Sequence, residues 1–223
     1  MRLARFVTAG IVFPFLANLA MAALTWSSTK IEGAASPGQE SFEAVFSFKN
    51  AGNKPVRINS IKTSCGCTTA TAGKTSYAPG ETGELRARID LRGRIGHQVK
   101  TIAVTTDDSP NTPAMLVLDV NVPPIVDVLP RLLAWSRGGK AEPKEVTITA
   151  GGTVEARLTS VLCGNPQFVI EQITQSPGRR YQLRVTPRST ASPLRTFIQL
   201  TFETALDHPK ATAVNTTVFV IVQ

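Results

Sequence analysis

The side chains best equipped for chemistry are Cys65 and Cys67, in the run Thr63-Ser64-Cys65-Gly66-Cys67-Thr68-Thr69. In an extended strand, two cysteines at this spacing point to one face. Their Cα atoms then stand about 6.5–7 Å apart, at or beyond the reach of a disulfide. Gly66 can relieve that separation by taking a positive φ and folding the pair together. Four chemistries are open to the pair. Two small thiols can pack where a strand ends. The sulfurs can form a strained, readily reduced disulfide. Two soft thiolates can hold Cu(I) or share Zn(II), or they can act as a redox pair. A structural zinc site wants four ligands, and the chain offers three cysteines and two widely separated histidines.

Other candidates for chemistry are sparse. A catalytic triad needs a histidine oriented by a third group; His97 follows Gly96 in an expected hairpin, and His208 precedes Pro209 in an expected loop. Asp107-Asp108 precedes Ser109-Pro110 and reads as turn acids rather than a hydrolytic or calcium pair. Asn215-Thr216-Thr217 fits a glycosylation sequon, which has meaning only in a eukaryotic host. The expectation is therefore a chain with no catalytic residues and no enzymatic activity. No resident cofactor is expected either, with copper at Cys65 and Cys67 as the alternative.

The segments that must position these residues begin with an export signal. Arg2 and Arg5 precede the apolar run Phe6–Leu19, and Ala20-Met21-Ala22 is a small-x-small cleavage site. Residues 1–22 are thus expected to be a signal peptide, with no membrane span after cleavage and an exported protein in the periplasm, at the cell surface or secreted. The whole chain carries 24 basic and 16 acidic side chains, net +8; removing Arg2 and Arg5 leaves 22 against 16, net +6. The basic clusters Arg86, Arg88, Arg92, Arg94 and Arg179, Arg180, Arg184, Arg188 lack interleaved aromatics. They read as solvated strand faces, not as a nucleic-acid surface.

From Thr25 onward the pattern is of short β-runs broken by turns. Phe42, Ala44, Phe46 and Phe48 alternate with Glu43, Ser47 and Lys49, and Leu85, Ala87, Ile89 and Leu91 alternate with Arg86, Arg88, Asp90 and Arg92. Trp26–Glu32 reads as one front strand, and the in–out phase breaks at Asn59-Ser60, which predicts a bulge. About seven strands are expected in the first hundred mature residues. Met115 and Val117 lie opposite Leu116, Leu118 and Val120, which marks a central strand, a junction or a partner site. Pro123-Pro124 reads as a stiff linker. Beyond it, Arg157–Val161 echoes Arg57–Ile61 at an offset of 100, and Leu183-Arg184-Val185 echoes Leu85-Arg86-Ala87 at 98. The repeat predicts two tandem immunoglobulin-like β-sandwich domains, 23–122 and 125–223, with Cys163-Gly164-Asn165-Pro166 standing where the first has its cysteine pair.

Several motifs together carry a resemblance. These are Phe46–Asn50, Gly52, Pro55, Ile58, Ser64-Cys65-Gly66-Cys67-Thr68, Tyr77-Ala78-Pro79-Gly80-Glu81, and Gly96 ahead of Lys100-Thr101-Ile102. Over about residues 38–106 the chain resembles the bacterial family known as domain of unknown function 1573. The resemblance implies an exported, immunoglobulin-like domain and an envelope location, and it implies no activity. The functional expectation is an exported cell-envelope binding or structural module, partnered by an envelope protein or polymer and not by nucleic acid. The alternative is a copper-handling protein that uses Cys65 and Cys67.

Overall fold

The apolar alternation of these runs becomes strand after strand in the computed structural model, which describes residues 23–205 and 212–223. Seventeen strands, and no helix among the described residues, make an all-β chain. The first half holds β1 (Leu24–Trp26), β2 (Lys30–Ala34), β3 (Ser41–Asn50), β4 (Val56–Thr63), β5 (Thr68–Ala72), β6 (Ser76–Tyr77), β7 (Thr82–Asp90), β8 (Gly96–Thr106) and β9 (Ala114–Val122). The second half holds β10 (Val126–Leu129), β11 (Leu132–Trp135), β12 (Lys144–Ala150), β13 (Glu155–Cys163), β14 (Phe168–Ser176), β15 (Arg180–Pro187), β16 (Leu194–Ala205) and β17 (Thr212–Val222).

The strands form four sheets, ordered β1-β3-β7-β5 and β2-β9-β8-β4-β6 in the first half, and β10-β12-β15-β14 and β11-β17-β16-β13 in the second. Apart from β6, the two halves have the same strand order. Each opens with a strand antiparallel to the next long strand, then switches sheets to run parallel to its own last strand, as β2 does with β9 and β11 with β17. The expected front strand Trp26–Glu32 is therefore two strands. The break falls at Ser27-Ser28-Thr29, where Ser28 Oγ accepts the Lys30 amide at 3.2 Å and turns the chain to the other sheet. With the short β5 and β6, whose Thr, Ser and Ala residues carry little apolar alternation, this makes nine strands rather than seven.

Each half has its own core. Phe46, Phe48, Leu85, Ile89, Ile102 and Leu116 fill the first, with Trp26 and Phe42 packed at its margin. Val128, Val146, Ile148, Leu183, Leu200, Phe202 and Val220 fill the second. The expected bulge is present between Ile58 and Ser60, and an equivalent one lies between Leu158 and Ser160. That shared irregularity fixes the alignment of the halves at an offset of 100 in this region. β9 is a central strand, between β2 and β8. Its Met115 side chain emerges on the outer face.

Candidate functional site

β4 belongs to one sheet of the first half and β5 to the other, so the chain must cross the end of the core between them. Ser64–Cys67 makes that crossing. The Ser64 amide donates to the Thr101 carbonyl at 3.0 Å, and the Asp90 amide donates to the Cys67 carbonyl at 2.9 Å, tying the turn to both sheets. Ser64 Oγ accepts the Thr101 amide at 3.1 Å, and Thr63 Oγ1 donates to the Cys65 carbonyl at 3.0 Å.

Within this turn Cys65 and Cys67 are joined as a disulfide, with Cα atoms 5.3 Å apart. The extended-strand spacing does not apply, because the pair lies in a turn beyond the end of β4. A left-handed glycine is not what draws them together either: Gly66 is absent from the glycines of positive φ. Beneath the sulfurs sits the buried hydroxyl of Thr68, 3.4 Å from Cys65 Sγ and 3.8 Å from Cys67 Sγ. Gly66 is exposed, and a Cβ placed on it meets nothing within 4 Å. The bonded sulfurs are not thiolates, so soft-metal coordination belongs to the reduced pair. Among the described residues no three His, Cys, Asp or Glu side chains cluster as metal ligands.

The second half builds the same turn without cysteines. At the offset of 100, Gly164–Gln167 matches Ser64–Cys67. The Gly164 amide donates to the Phe197 carbonyl at 3.1 Å, and the Arg188 amide donates to the Gln167 carbonyl at 2.7 Å, repeating the two ties to the sheets. Cys163 does not stand opposite either cysteine of the pair. It matches Thr63, and its thiol donates to the Asn165 carbonyl at 3.2 Å just as Thr63 Oγ1 donates to that of Cys65. Asn165 takes the place of Cys65, and its Oδ1 accepts the Gln167 amide at 2.9 Å. A side-chain hydrogen bond thus closes the turn where the first half has a sulfur–sulfur bond.

A second cluster in the first half reads in the sequence only as a turn. Asn50 ends β3 fully buried. Its Nδ2 donates to the carbonyls of Lys54 at 2.8 Å and Tyr77 at 2.9 Å, and its Oδ1 accepts the Gly52 amide at 2.9 Å. The Tyr77 ring stands edge-on to Phe48, centroids 4.7 Å apart. Gly83 leaves room for both: a Cβ there would lie 2.4 Å from Tyr77 and 2.5 Å from Phe48.

The remaining candidates stay apart. His97 is exposed on β8, its Nδ1 3.3 Å from Asp119 Oδ1. Asp107 Oδ1 accepts the Arg57 amide of β4 at 2.9 Å and Asp108 Oδ2 accepts the Ala23 amide ahead of β1 at 2.7 Å, so the two acids serve different segments. His208 and the expected signal peptide lie outside the described residues. Of the basic clusters, Arg86 pairs with Glu84, Arg88 with Glu43, Arg92 with Asp90, and Arg184 with Glu145 and Glu171.

An all-β chain of four sheets around two cores, with a disulfide-closed turn at one end of the first, defines the class. Residues 24–122, cysteine turn included, match the family described as Protein of unknown function (DUF1573). No curated protein matches the chain. Among solved structures, the chain is similar to the VesB protease of Vibrio cholerae, at 12% identity and a TM-score of 0.36, over 44% of this chain and 32% of that one. It is similar to the secreted serine protease VesC of Vibrio cholerae, at 11% identity and a TM-score of 0.37, over 88% of this chain and 50% of that one. It is also similar to the YadV chaperone, at 12% identity and a TM-score of 0.35, over 88% of this chain and 100% of that one. The chain thus spans half or less of either protease, and none of these likenesses bears on its activity.

Proposed function

We propose that this is an exported cell-envelope binding module without catalytic activity of its own. In this reading residues 23–122 and 125–223 are two immunoglobulin-like domains, and the Cys65–Cys67 corner is where the first meets an envelope protein or polymer. One observation carries it. The two halves hold the same turn by the same two backbone ties to their sheets, yet only the first adds a disulfide, on an exposed tip. The bond is surplus to the shape of the turn, so its use lies in what the tip presents.

Gly66 offers the test, since its side-chain position is open. A photo-crosslinking amino acid at Gly66 should capture an adduct in intact cells, in a protein whose mature N-terminus follows residue 22. The same probe at the matching Pro166 should not. Capture should fall when Cys65→Asn and Cys67→Gln are combined with the probe. Equal capture at both positions, or capture indifferent to the cysteines, would overturn the reading.

A further inference from the structure

The outer faces of two matching sheets differ in one respect that packing within the chain does not require. In the first half, one row across β2, β9 and β8 reads Lys30, Val117, Thr101, and the next reads Glu32, Asp119, Val99. Lys30 pairs with Glu32 and with Asp119, the latter at 3.6 Å, and Lys62 projects from β4 nearby. In the second half the same rows, across β11, β17 and β16, read Leu132, Phe219, Phe197 and Ala134, Ile221, Arg195. Leu162 on β13 takes the place of Lys62. The four apolar replacements are exposed: Leu132 by 57%, Phe219 by 59%, Phe197 by 47% and Leu162 by 61%. The first-half face has exposed Val99 and Met115, but they stand two rows apart with Lys30, Val117 and Thr101 between. A contiguous exposed apolar patch of this kind marks an interaction surface.

We propose that a second copy of this chain covers it, the two β11-β17-β16-β13 sheets stacking face to face about a two-fold axis. Three features select this occupant. Read across the sheet, Leu132, Phe219 and Phe197 stand in one row, and Leu162 on β13 stands one row along, opposite Gln199, an order that is nearly its own reverse. A two-fold axis parallel to the strands, midway between β16 and β17, lays Phe197 of one copy on Phe219 of the other and brings Leu132 towards Leu162. This is the self-complementarity that an isologous contact needs. The face is also close to neutral. Arg157 and Glu203 pair with each other, and in the row beside the apolar one the acids of the first half are replaced by Ala134 and Ile221. Arg195, at the end of the patch, falls over Ile221 rather than over its own copy. Finally, four strands at about 4.8 Å spacing and roughly nine residues of mean length make a face of roughly 600 Å² in projection. Each partner in a stable interface contributes about 600–1,000 Å².

Sedimentation of the mature protein over a dilution series tests this. A dimer is expected, and Leu132→Lys with Phe197→Thr, the residues that the first half carries at these positions, should raise its dissociation constant at least about a hundredfold, since each loss counts twice across a two-fold axis. A thermal melt of the variant checks that it folds. The axis is tested by mixing Phe197→Cys protein with Phe219→Cys protein, both in a Cys163→Ser background. The mixed disulfide should form faster than either like pair. A monomer at all concentrations overturns the proposal, as does a dimer indifferent to these substitutions. So does a monomer that uses this face to bind anionic vesicles. None of these outcomes touches the Cys65–Cys67 corner, so the proposed function stands or falls separately.

Discussion

The turn Ser64–Cys67 and the turn Gly164–Gln167 solve one structural problem twice. Both carry the chain from one sheet to the other, and both hang from one strand's amide-to-carbonyl bond on each side. They part in what closes the tip, a covalent bond between Cys65 and Cys67 or a hydrogen bond from the Gln167 amide to Asn165, and in the Ser64 hydroxyl that accepts the Thr101 amide, which Gly164 has no side chain to repeat. The outer sheet faces show the same pattern: identical register, with Lys30, Thr101 and Lys62 exchanged for Leu132, Phe197 and Leu162. The frame is duplicated, and the differences sit on its surface. That is where two copies of one scaffold are free to diverge, since exposed substitutions cost little stability while core substitutions are felt at once.

The largest expected effect tests whether the two cores are independent. Phe46 is fully buried in the core of the first half. Phe46→Ala should destabilise that half by about 3–5 kcal/mol, measured by denaturant titration. Amide exchange at Ile148, Leu183 and Leu200 in the second half should be unchanged. A loss below about 1 kcal/mol would mean that the strand faces are misassigned, and equal loss of protection in both halves would mean that they unfold as one.

Much of this was legible because it is periodic. Alternation along Phe42–Phe48 and Leu85–Ile89 specifies which face is inward, and the phase break at Asn59-Ser60 specifies a bulge. The offset of 100 was legible too, but the equivalence of Cys163 was not. A cysteine attracts alignment with other cysteines, whereas here its thiol takes the part of the Thr63 hydroxyl, and only the register shows it. Nor was the role of Asn50 legible, since its three partners, Gly52, Lys54 and Tyr77, are brought together by the fold and not by spacing. The apolar row was hidden for the same reason. Leu132, Phe197 and Phe219 are far apart in sequence, and each alone passes for an ordinary strand residue.

A smaller effect concerns how each half seals the start of its bulged strand. Tyr181 Oη in the second half accepts the amides of Leu158 at 3.2 Å and Gly178 at 2.9 Å. The matching position in the first half is Gly83, and Tyr77 fills the space from β6 instead. Meanwhile the Ile58 amide finds the Thr75 carbonyl at 2.8 Å. Gly83→Ala should therefore cost about 1–3 kcal/mol by overpacking. In a Tyr77→Ala background the same change should cost less, by at least about 0.5 kcal/mol of coupling. Additive costs in the double-mutant cycle would show that the two residues do not share that space.

The smallest effect bears most directly on the two turns. Closing so short a loop removes little entropy from the unfolded chain, so a Cys65–Cys67 bond should contribute on the order of 1–2 kcal/mol. Cys65→Asn with Cys67→Gln gives the first turn the closing pair of the second, and the side-chain hydrogen bond this introduces should recover part of that loss. The amides of Ser64 and Asp90, which hold the turn to its two sheets, should keep their exchange protection. If protection collapses at both, the disulfide is needed to form the turn, and the argument that it is surplus to the scaffold fails. If protection survives and the loss stays within about 2 kcal/mol, the cysteines are not explained by folding. The same variant, placed beside the Gly66 crosslinking experiment, then asks what they are for. A turn that keeps its shape and loses its adduct assigns the contact to the sulfurs rather than to the backbone that carries them.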